Sequence, residues 1–246
     1  MKNGLVIPCY NESNRINFTT YNHFLDYNDD FVICFVNDGS SDDTLQKLND
    51  LRLGRESKVF VLDLEINQGK AEAVRCGVNY LLTHTQVSTI GFIDADLSTS
   101  FYDYKQLIFS LKKMNTDECL VFGSRKLEIN EKIERSSFRK IASEIVGYSI
   151  QKIIGLPIKD TQCGAKVFTR RLAEDVFRHK FITRWLFDVE IFLRMKRSFG
   201  KDIMNVIQEK PLSEWKDVEG SKLSVLDSIK VPFMVSKIAL SYTFFI

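Results

Sequence analysis

The sequence lacks the features that mark disulfide-rich and zinc-binding proteins. Its five cysteines are scattered with no C-x-x-C pair, and its three histidines are isolated. Because three of the cysteines lie within apolar segments, we expect buried thiols in a reducing compartment rather than a disulfide framework. Neither a disulfide scaffold nor a zinc site is therefore predicted.

Long apolar runs are also absent. No uninterrupted apolar stretch reaches the roughly 20 residues that span a bilayer, and the nearest candidate, 231–246, is short and contains Lys237. Pro232 is expected to break the approach to this apolar C terminus. Because residues 1–3 lead directly into the apolar run 5–7, no signal peptide is expected. The sequence therefore predicts no membrane crossing.

The bulk composition is that of an ordinary globular protein with an uneven distribution of charge. The length of 246 residues suffices for one large α/β domain, and 44% of the residues are hydrophobic. Residues 125–184 contain 14 Lys or Arg against 7 Asp or Glu, although the net charge of the chain is only +2. The preceding residues are therefore net acidic. A basic second half suits an anionic substrate or membrane surface, a solvated basic face being the alternative, and no nucleic-acid partner is expected.

Short apolar runs alternate with longer, helix-like polar stretches in the first half of the chain. The predicted strands are 5–7, 31–36, 59–62, 89–93 and 120–122, and the predicted helices are 18–27, 44–53, 70–82 and 104–114. This alternation predicts an α/β fold with a doubly wound, mostly parallel sheet and helices on both faces. In such sheets ligands bind beyond the carboxyl ends of the strands.

The second half is less regular. A broad apolar arc over 139–156 predicts a helix that is either well buried or partly in a membrane interface. A second helix is predicted over 183–198, with Trp185 and Asp188 on one face. A late strand is predicted over 203–207.

A pair of carboxylates follows the fourth predicted strand. Asp94 and Asp96 come directly after the apolar run 90–93, and Ser98 closes the motif as a third candidate ligand. One carboxylate can face a metal while the other reaches an adjacent pocket. Mg²⁺ is usually bound through one or two carboxylates, with phosphates and water as its other ligands. For the pair alone, a solvated turn after a core strand is the alternative.

Polar groups also follow the other strands. The first strand ends in a loop that contains Pro8, Tyr10 and Glu12, whose backbone can face a base and ribose. At the end of the second strand, Asp38 can accept the imide N–H of a uracil. Lys70 opens a helix after a glycine, which suits phosphate binding. The spacing of a P-loop is absent, so ATPase chemistry is not indicated.

These loops, taken in order, resemble the family-2 glycosyltransferases of the GT-A fold. The matching segments are PCYNE (8–12), NDGSSDDT (37–44), NQGKAEAVRCG (67–77) and DADLS (94–98). The second half resembles the polyprenyl-phosphate hexosyltransferases, and in its last two segments the dolichyl-phosphate glucosyltransferase branch. The segments are GSR (123–125), SFRK (137–140), DTQCGAKVF (160–168), RWLFDVE (184–190) and WKDVEGSKL (215–223). Ala165 and Leu186 depart from the usual pattern, which leaves the details of the acceptor site open.

The resemblance implies a role for each candidate residue. The residues expected near the base are Pro8, Tyr10, Glu12 and Asp38. Asp94 would face the ribose or the second shell of the metal, and Asp96 would hold Mg²⁺ or Mn²⁺. Arg125 and Arg139 are candidate phosphate clamps, because guanidinium forks match phosphate oxygens bidentately. A surface salt bridge is the alternative for each arginine.

A lipid phosphate acceptor changes what the catalytic site must supply. A phosphate monoester is already largely anionic at neutral pH, so it can attack the anomeric carbon without a base. Asp188 stands where a base would lie for a hydroxyl acceptor, and we interpret it instead as an orienting or arginine-pairing group. The hypothesis is a metal-dependent inverting hexosyltransferase that moves glucose from UDP-glucose onto a polyprenyl phosphate, with GDP-mannose as the alternative donor. The rivals are a transferase to a glycan or protein hydroxyl and a non-catalytic protein that binds nucleotide sugars.

The resemblance also implies a domain organisation. A GT-A domain is expected over 1–225, with a nucleotide-sugar half at 1–124 and an acceptor half at 125–225. The apolar tail 226–246, together with the 139–156 helix, is expected to dock at a membrane interface. The protein is therefore expected to be cytoplasmic and peripheral on the cytoplasmic face of a membrane.

Overall fold

The computed structural model describes residues 2–126, 150–213 and 225–243, and in the last helix it describes the side chains of residues 233–242. Residues 150–154 of the predicted 139–156 helix are helical. Residues 139–149 of that helix, which include Arg139, lie outside the described residues, and so does the segment 215–223.

A single sheet of seven strands forms the centre of the described structure. The strands are β1 (Lys2–Cys9), β2 (Phe31–Asp38), β3 (Val59–Leu64), β4 (Val87–Phe92), β5 (Leu120–Ser124), β6 (Lys166–Thr169) and β7 (Ile207–Pro211). Their order across the sheet is β3-β2-β1-β4-β6-β5-β7. Only the pairings of β6 with β4 and β5 are antiparallel among the described strands. The predicted mostly parallel sheet is confirmed, and all five predicted strands of the first half are present.

Helices cover both faces of this sheet, as the alternation predicted. The helices are α1 (Phe18–Tyr27), α2 (Thr44–Arg52), α3 (Lys70–His84), α4 (Phe101–Lys113), α5 (Arg170–Val176), α6 (Phe187–Phe199), α7 (Ile203–Val206) and α8 (Val225–Thr243). Buried side chains of α1, α2 and α4 share one apolar cluster, and those of α3, α5, α6 and α8 share the other. The sheet therefore separates two cores.

Strand β2 shows how the sequence builds both cores at once. All eight of its residues are buried. Its even-numbered apolar residues, Val32, Cys34 and Val36, join the cluster that contains α3, and Phe31, Ile33 and Phe35 join the other. A continuous apolar run of this kind is typical of a parallel strand covered on both faces. All five cysteines are free, and four of them are buried, as predicted for structural thiols.

Helix α6 begins later than its periodicity predicted. It starts at Phe187 rather than at residue 183, so Trp185 precedes the helix and does not share a helical face with Asp188. The carboxylate of Glu190 accepts the backbone N–H groups of residues 182 and 183 at 2.8 and 2.9 Å. Because these donors are satisfied by a side chain one turn inside the helix, the preceding residues remain a loop.

Two other predictions for the second half are wrong. The segment predicted as a strand over 203–207 is the short helix Ile203–Val206, and strand β7 begins at Ile207. Ile203 and Val206 both face the core, which is the spacing of one helical turn. Pro232 does not interrupt the helix either, because α8 runs continuously from Val225 to Thr243.

Helix α8 lies against the core with one side. Val235 and Ile238 are buried in the cluster that contains α6, whereas Phe233 and Leu240 are 74% and 61% exposed. Among the described residues, no helix is both long enough and apolar enough to cross a membrane.

Candidate active site

The strand directions bring the predicted motifs to one edge of the sheet. Strands β1 to β5 and β7 all run in the same direction, and β6 runs in the opposite one. The loops that follow β1, β2, β4 and β5 therefore lie at the same edge as the loop that precedes β6. This edge carries the segments 8–15, 37–44, 94–98 and 160–165.

The Asp94–Ser98 turn is held in a strained conformation. Leu97 adopts a positive φ of 54°, which costs a residue with a Cβ about 1–2 kcal/mol. The Tyr21 hydroxyl, buried beneath the turn, donates to the Ala95 carbonyl at 3.0 Å. The Ser98 backbone N–H donates to Asp96 Oδ1 at 3.0 Å. These contacts hold the two carboxylates at the surface of the site despite the strain.

Each of the two predicted metal carboxylates is paired with a cation of the chain. Lys70 Nζ forms an ion pair with Asp94 Oδ1. Arg15 Nη2 lies 2.6 Å from Asp96 Oδ2, and Arg15 Nη1 lies 3.3 Å from Glu12 Oε1. Arg15 is not among the site residues predicted from the sequence, although a basic residue three positions after an acidic one in a site loop is a usable signal.

The charge of Lys70 is stabilised at this edge. Burial lowers the pKa of its ammonium group, but the negative charges of Asp94, Asp188 and Asp96 outweigh burial and raise the pKa above its ordinary value. Lys70 is also the first residue of α3. The site thus contains a protonated lysine at a helix N terminus, the combination that suits an anionic ligand.

The loop before α3 is fixed from two sides. Asp38, which is 3% exposed, accepts the backbone N–H groups of Gln68 and Gly69 at 2.7 and 2.8 Å. Burial raises the pKa of this carboxyl, and the two hydrogen bonds partly offset the rise. Arg184 donates to the carbonyls of Asn67 and Gln68 at 2.8 and 3.1 Å. Asp38 is therefore an anchor of this loop, and its contact with a uracil imide stays a prediction.

The loop after β1 is joined to the loop after β2. The Glu12 backbone N–H donates to Thr44 Oγ1 at 2.8 Å, and Asn11 adopts a positive φ of 51°. Glu12 is buried, while Pro8 and Tyr10 are half-buried beside it. The structure thus brings the predicted base-binding residues Pro8, Tyr10, Glu12 and Asp38 to neighbouring strand ends, and their contacts with a base stay predictions.

Arg125 makes a bidentate contact within the chain. Its Nε and Nη2 atoms donate to the two carboxylate oxygens of Asp160 at 2.7 and 2.9 Å. Burial lowers the pKa of the Arg125 guanidinium, but the hydrogen bonds and charge of Asp160 outweigh it and raise that pKa. Asp160 is 2% exposed. The phosphate-clamp role predicted for Arg125 stays a prediction, because the fork already has a carboxylate partner.

Asp188, which was predicted to be an orienting or arginine-pairing group, forms a buried ion pair with a lysine. Lys166, which is fully buried, lies with Nζ 2.6 Å from Asp188 Oδ1. The same ammonium donates to the carbonyls of Thr161 and Cys163 at 3.1 and 2.8 Å. Asp188 is thus linked through Lys166 to the loop before β6, and the role predicted for it stays a prediction.

That loop in turn contacts the acidic pair. A Cβ built on Gly164 would lie 2.2 Å from Asp94 Oδ2 and 2.7 Å from Asp94 Cγ. The main chain at Gly164 is thus packed against the Asp94 carboxylate, and any side chain at this position would require that carboxylate to move.

The acidic pair fits a metal that arrives together with a diphosphate. Among residues 2–126, 150–213 and 225–243, no group of three or more His, Cys, Asp or Glu side chains is arranged to hold a metal. Mg²⁺ nevertheless usually takes only one or two carboxylates from the protein, and phosphates of the substrate complete its coordination. Asp94 and Asp96 would hold the ion, and Ser98 stays a predicted third ligand.

An Asp-x-Asp pair and a lysine thus lie at the carboxyl edge of a doubly wound sheet, where such sheets bind their ligands. The family model described as glycosyl transferase family 2 matches residues 5–177, well over half of the chain. The chain belongs to this family, and the predicted glycosyltransferase is confirmed.

Relatives with similar sequences share one name. The chain is 32% identical over 252 residues to a dolichyl-phosphate beta-glucosyltransferase of Trichomonas vaginalis, with 97% of this chain and 73% of the relative covered. It is 34% identical to the dolichyl-phosphate beta-glucosyltransferase of Saccharomyces cerevisiae, with 93% and 71% covered. The human protein of that name is 29% identical, with 89% and 69% covered.

Solved structures share the fold at lower identity. Glucosyl-3-phosphoglycerate synthase from Mycobacterium tuberculosis, in complex with Mn²⁺ and UDP-glucose, has a TM-score of 0.67 at 15% identity, with 98% of this chain and 78% of that chain covered. The same enzyme in complex with phosphoglyceric acid has a TM-score of 0.67 at 16% identity, with 98% and 79% covered. These similarities establish the GT-A fold.

Proposed function

We propose that this protein is a metal-dependent inverting glucosyltransferase that transfers glucose from UDP-glucose to a polyprenyl phosphate such as dolichyl phosphate. The names of the relatives support the lipid phosphate acceptor. The UDP-glucose and Mn²⁺ complex of a protein with this fold supports the donor and the metal class. GDP-mannose remains the alternative donor to be tested.

The observation that carries the proposal is that Asp188 is buried and already paired with a lysine. Asp188 is 4% exposed, and its carboxylate forms a buried ion pair with Lys166 at 2.6 Å. A general base needs access to the proton that it removes. A hydroxyl acceptor would require such a base, whereas a phosphate monoester is already anionic at neutral pH. The engaged carboxylate therefore favours the phosphate acceptor.

The reaction that we propose is a single displacement. An oxygen of the lipid phosphate attacks C1 of glucose and forms the new C1–O bond as the bond from C1 to the diphosphate breaks. UDP leaves with the electron pair of that bond. A bound Mg²⁺ or Mn²⁺ at Asp94 and Asp96 would neutralise charge on the diphosphate.

The residues of the chain would supply the remaining positive charge. Lys70 lies at a helix N terminus beside Asp94, where it can hold a diphosphate oxygen. Arg125 and Arg139 are the proposed contacts to the acceptor phosphate, with Arg139 outside the described residues. The excess of Lys and Arg over residues 125–184 supports the same assignment.

Lipid transfer can be tested directly. Purified protein, radiolabelled UDP-glucose, polyprenyl phosphate and Mg²⁺ should give a labelled product that extracts into chloroform, and GDP-mannose should give much less. Asp96→Asn should lower the rate by about 100-fold or more, since the metal contributes several kcal/mol. Asp26→Asn, which removes a surface partner of Arg55, is the matched control and should leave the rate unchanged. Absence of extractable product with either donor would exclude the lipid acceptor.

Asp188 distinguishes the two acceptor classes. A transferase to a glycan or protein hydroxyl predicts that Asp188→Asn abolishes turnover, while transfer to a phosphate predicts a partial loss through the Lys166 pairing. Hydrolysis of the nucleotide sugar in the absence of acceptor would exclude a non-catalytic binding protein.

We also propose that the enzyme is peripheral on the cytoplasmic face of a membrane. Phe233 and Leu240 lie seven residues apart on the exposed side of α8, with the exposed Lys237 between them. Aromatic and apolar side chains beside a lysine suit the interface of an anionic bilayer. Phe233→Asp should reduce sedimentation with phosphatidylserine vesicles, whereas Lys201→Asp, at an exposed position outside this helix, is the control for charge.

A further inference from the structure

The two acidic residues proposed to bind the metal are already neutralised by cations of the chain. Asp94 is paired with Lys70, and Asp96 is paired with Arg15. The Arg15 contact is short, with Nη2 2.6 Å from Asp96 Oδ2, and both side chains are about four-fifths buried, with 20% and 18% of their surface exposed. The second oxygen, Asp96 Oδ1, accepts the Ser98 backbone N–H at 3.0 Å.

Each of the two carboxylate oxygens of Asp96 therefore already accepts a hydrogen bond. A divalent cation that binds to Asp96 would lie beside the Arg15 guanidinium on the same carboxylate, and the two positive charges would repel each other. The pairing is therefore a cost that metal binding has to offset. The same pairing keeps an otherwise uncompensated carboxylate stable before a ligand arrives.

Arg15 has a second feature that suits a residue able to change partners. Its Nε atom is buried and has no hydrogen-bond partner among the residues that the structure describes, while its Nη1 contact to Glu12 is long at 3.3 Å. A guanidinium with an unsatisfied donor gains from an additional acceptor. Diphosphate oxygens are bidentate acceptors of the kind that arginine prefers.

We propose that Arg15 is a positioning residue that occupies Asp96 before the metal binds and competes with the metal for it. The inference rests on the proposed function, because it concerns how the metal of the donor complex reaches its carboxylate. A nucleoside diphosphate that binds with the metal would relieve the competition by giving Arg15 a new anionic partner. Metal and nucleotide should therefore strengthen each other's binding.

The test measures Mn²⁺ binding by electron paramagnetic resonance of the free ion, without and with saturating UDP. Without UDP, Arg15→Gln should bind Mn²⁺ about fivefold more tightly than the wild type, the ratio that corresponds to an ion pair worth ~1 kcal/mol. The enhancement of Mn²⁺ affinity by UDP should be smaller in Arg15→Gln than in the wild type. Arg15→Lys keeps the positive charge but lacks the two-pronged guanidinium. Its Mn²⁺ affinity, and the enhancement of that affinity by UDP, should lie between those of the wild type and Arg15→Gln.

The matched control is Arg55→Gln. Arg55 pairs with Asp26 through Nη2 at 2.7 Å on the surface, so the variant removes a similar ion pair away from the site and should leave Mn²⁺ affinity unchanged. In the Asp96→Asn background the effect of Arg15→Gln should disappear, because the shared oxygen is no longer an anion.

Each result separates this inference from the proposed function. If Arg15→Gln leaves Mn²⁺ affinity unchanged or weakens it while wild type binds Mn²⁺ with UDP, the competition is refuted and the proposed metal site stands. If the wild type binds no Mn²⁺ even with UDP, the metal site is refuted and this inference fails with it. Should Arg15→Gln prove too unstable to measure, Arg15→Lys serves in its place. If Arg15→Lys binds Mn²⁺ with the wild-type affinity, and UDP does not increase the Mn²⁺ affinity of either protein, the exchange of partners is refuted.

Discussion

Replacement of Gly164 by alanine should disturb the site through a single steric contact. A Cβ at this position would lie 2.2 Å from Asp94 Oδ2, whereas real Cβ atoms do not approach closer than 3.0 Å. The Asp94 carboxylate must therefore retreat by about 0.8 Å. Gly164 does not have a positive φ, so backbone strain does not contribute to the effect.

The expected magnitude follows from this displacement. Overpacking of a filled site costs about 1–3 kcal/mol, and about 2 kcal/mol lowers the melting temperature of a protein of this size by roughly 4–8 °C. The retreat of Asp94 also breaks its ion pair with Lys70. Because a misplacement of about 1 Å can cost about 100-fold in rate, glucosyl transfer should fall by one to two orders of magnitude.

Calorimetry and the chloroform-extraction assay measure the two effects separately. Gly4→Ala is the control, since its Cβ would meet Ile90 at 3.2 Å within the same sheet but away from the site. It should lower the melting temperature slightly and leave the rate at the wild-type level. Wild-type activity and stability in Gly164→Ala would show that this contact does not position Asp94.

Three further predictions concern buried charges and the last helix. Lys166→Met should destabilise the fold by about 3–5 kcal/mol, measured by urea unfolding, because it leaves Asp188 buried without its cation; a loss below ~1 kcal/mol would contradict this. Burial raises the pKa of Asp160, but its hydrogen bonds and ion pair with Arg125 outweigh burial and lower it. The resulting stability is present above the ordinary carboxyl pKa of about 3.9 and is lost as the pH falls through the lowered folded value, so Asp160→Asn should flatten the pH dependence of unfolding below about pH 4. Tyr242→Phe should cost about 1 kcal/mol, since it removes the hydroxyl that bonds α8 to α6 at 3.2 and 3.3 Å, and an unchanged unfolding free energy would refute that anchoring role.

The architecture of the first half could be predicted from the sequence because its signals are local. Helix α1 was predicted with its observed bounds, and the apolar runs located all five strands of that half. The wrong bounds in the second half have non-local causes. Helix α6 starts late because the Glu190 carboxylate satisfies backbone donors of the preceding loop, which periodicity does not reveal.

The candidate site was predictable in its composition but not in its pairings. The motifs placed Asp94, Asp96 and Lys70 at strand ends, and the structure brings them together. The partner of Asp96 is Arg15, which lies 81 residues away in the chain. Likewise, nothing in the sequence around Lys166 indicates that its ammonium is fully buried. Long-range ion pairs of this kind depend on the packed fold.

The reversed direction of β6 has a consequence for how the protein could diversify. Strands β5 and β6 are antiparallel neighbours, and such neighbours need only a short turn to connect them. The long connection between them is therefore not required to close the sheet. Arg125 and Asp160 form an ion pair across its base, so both ends of the segment are fastened at the catalytic edge.

Because both ends of this connection are held by the Arg125–Asp160 ion pair, the connection tolerates changes in length. Loop-closure entropy grows slowly with length, by only about 0.6 kcal/mol per doubling. Insertions or deletions in this connection that spare the buried residues Ile150, Ile154 and Ile158 could thus leave in place the strands that carry Asp38 and the Asp94–Asp96 pair. Under the proposed function, in which this half of the chain binds the acceptor, such changes would alter acceptor recognition without altering the strands that carry the donor-site residues.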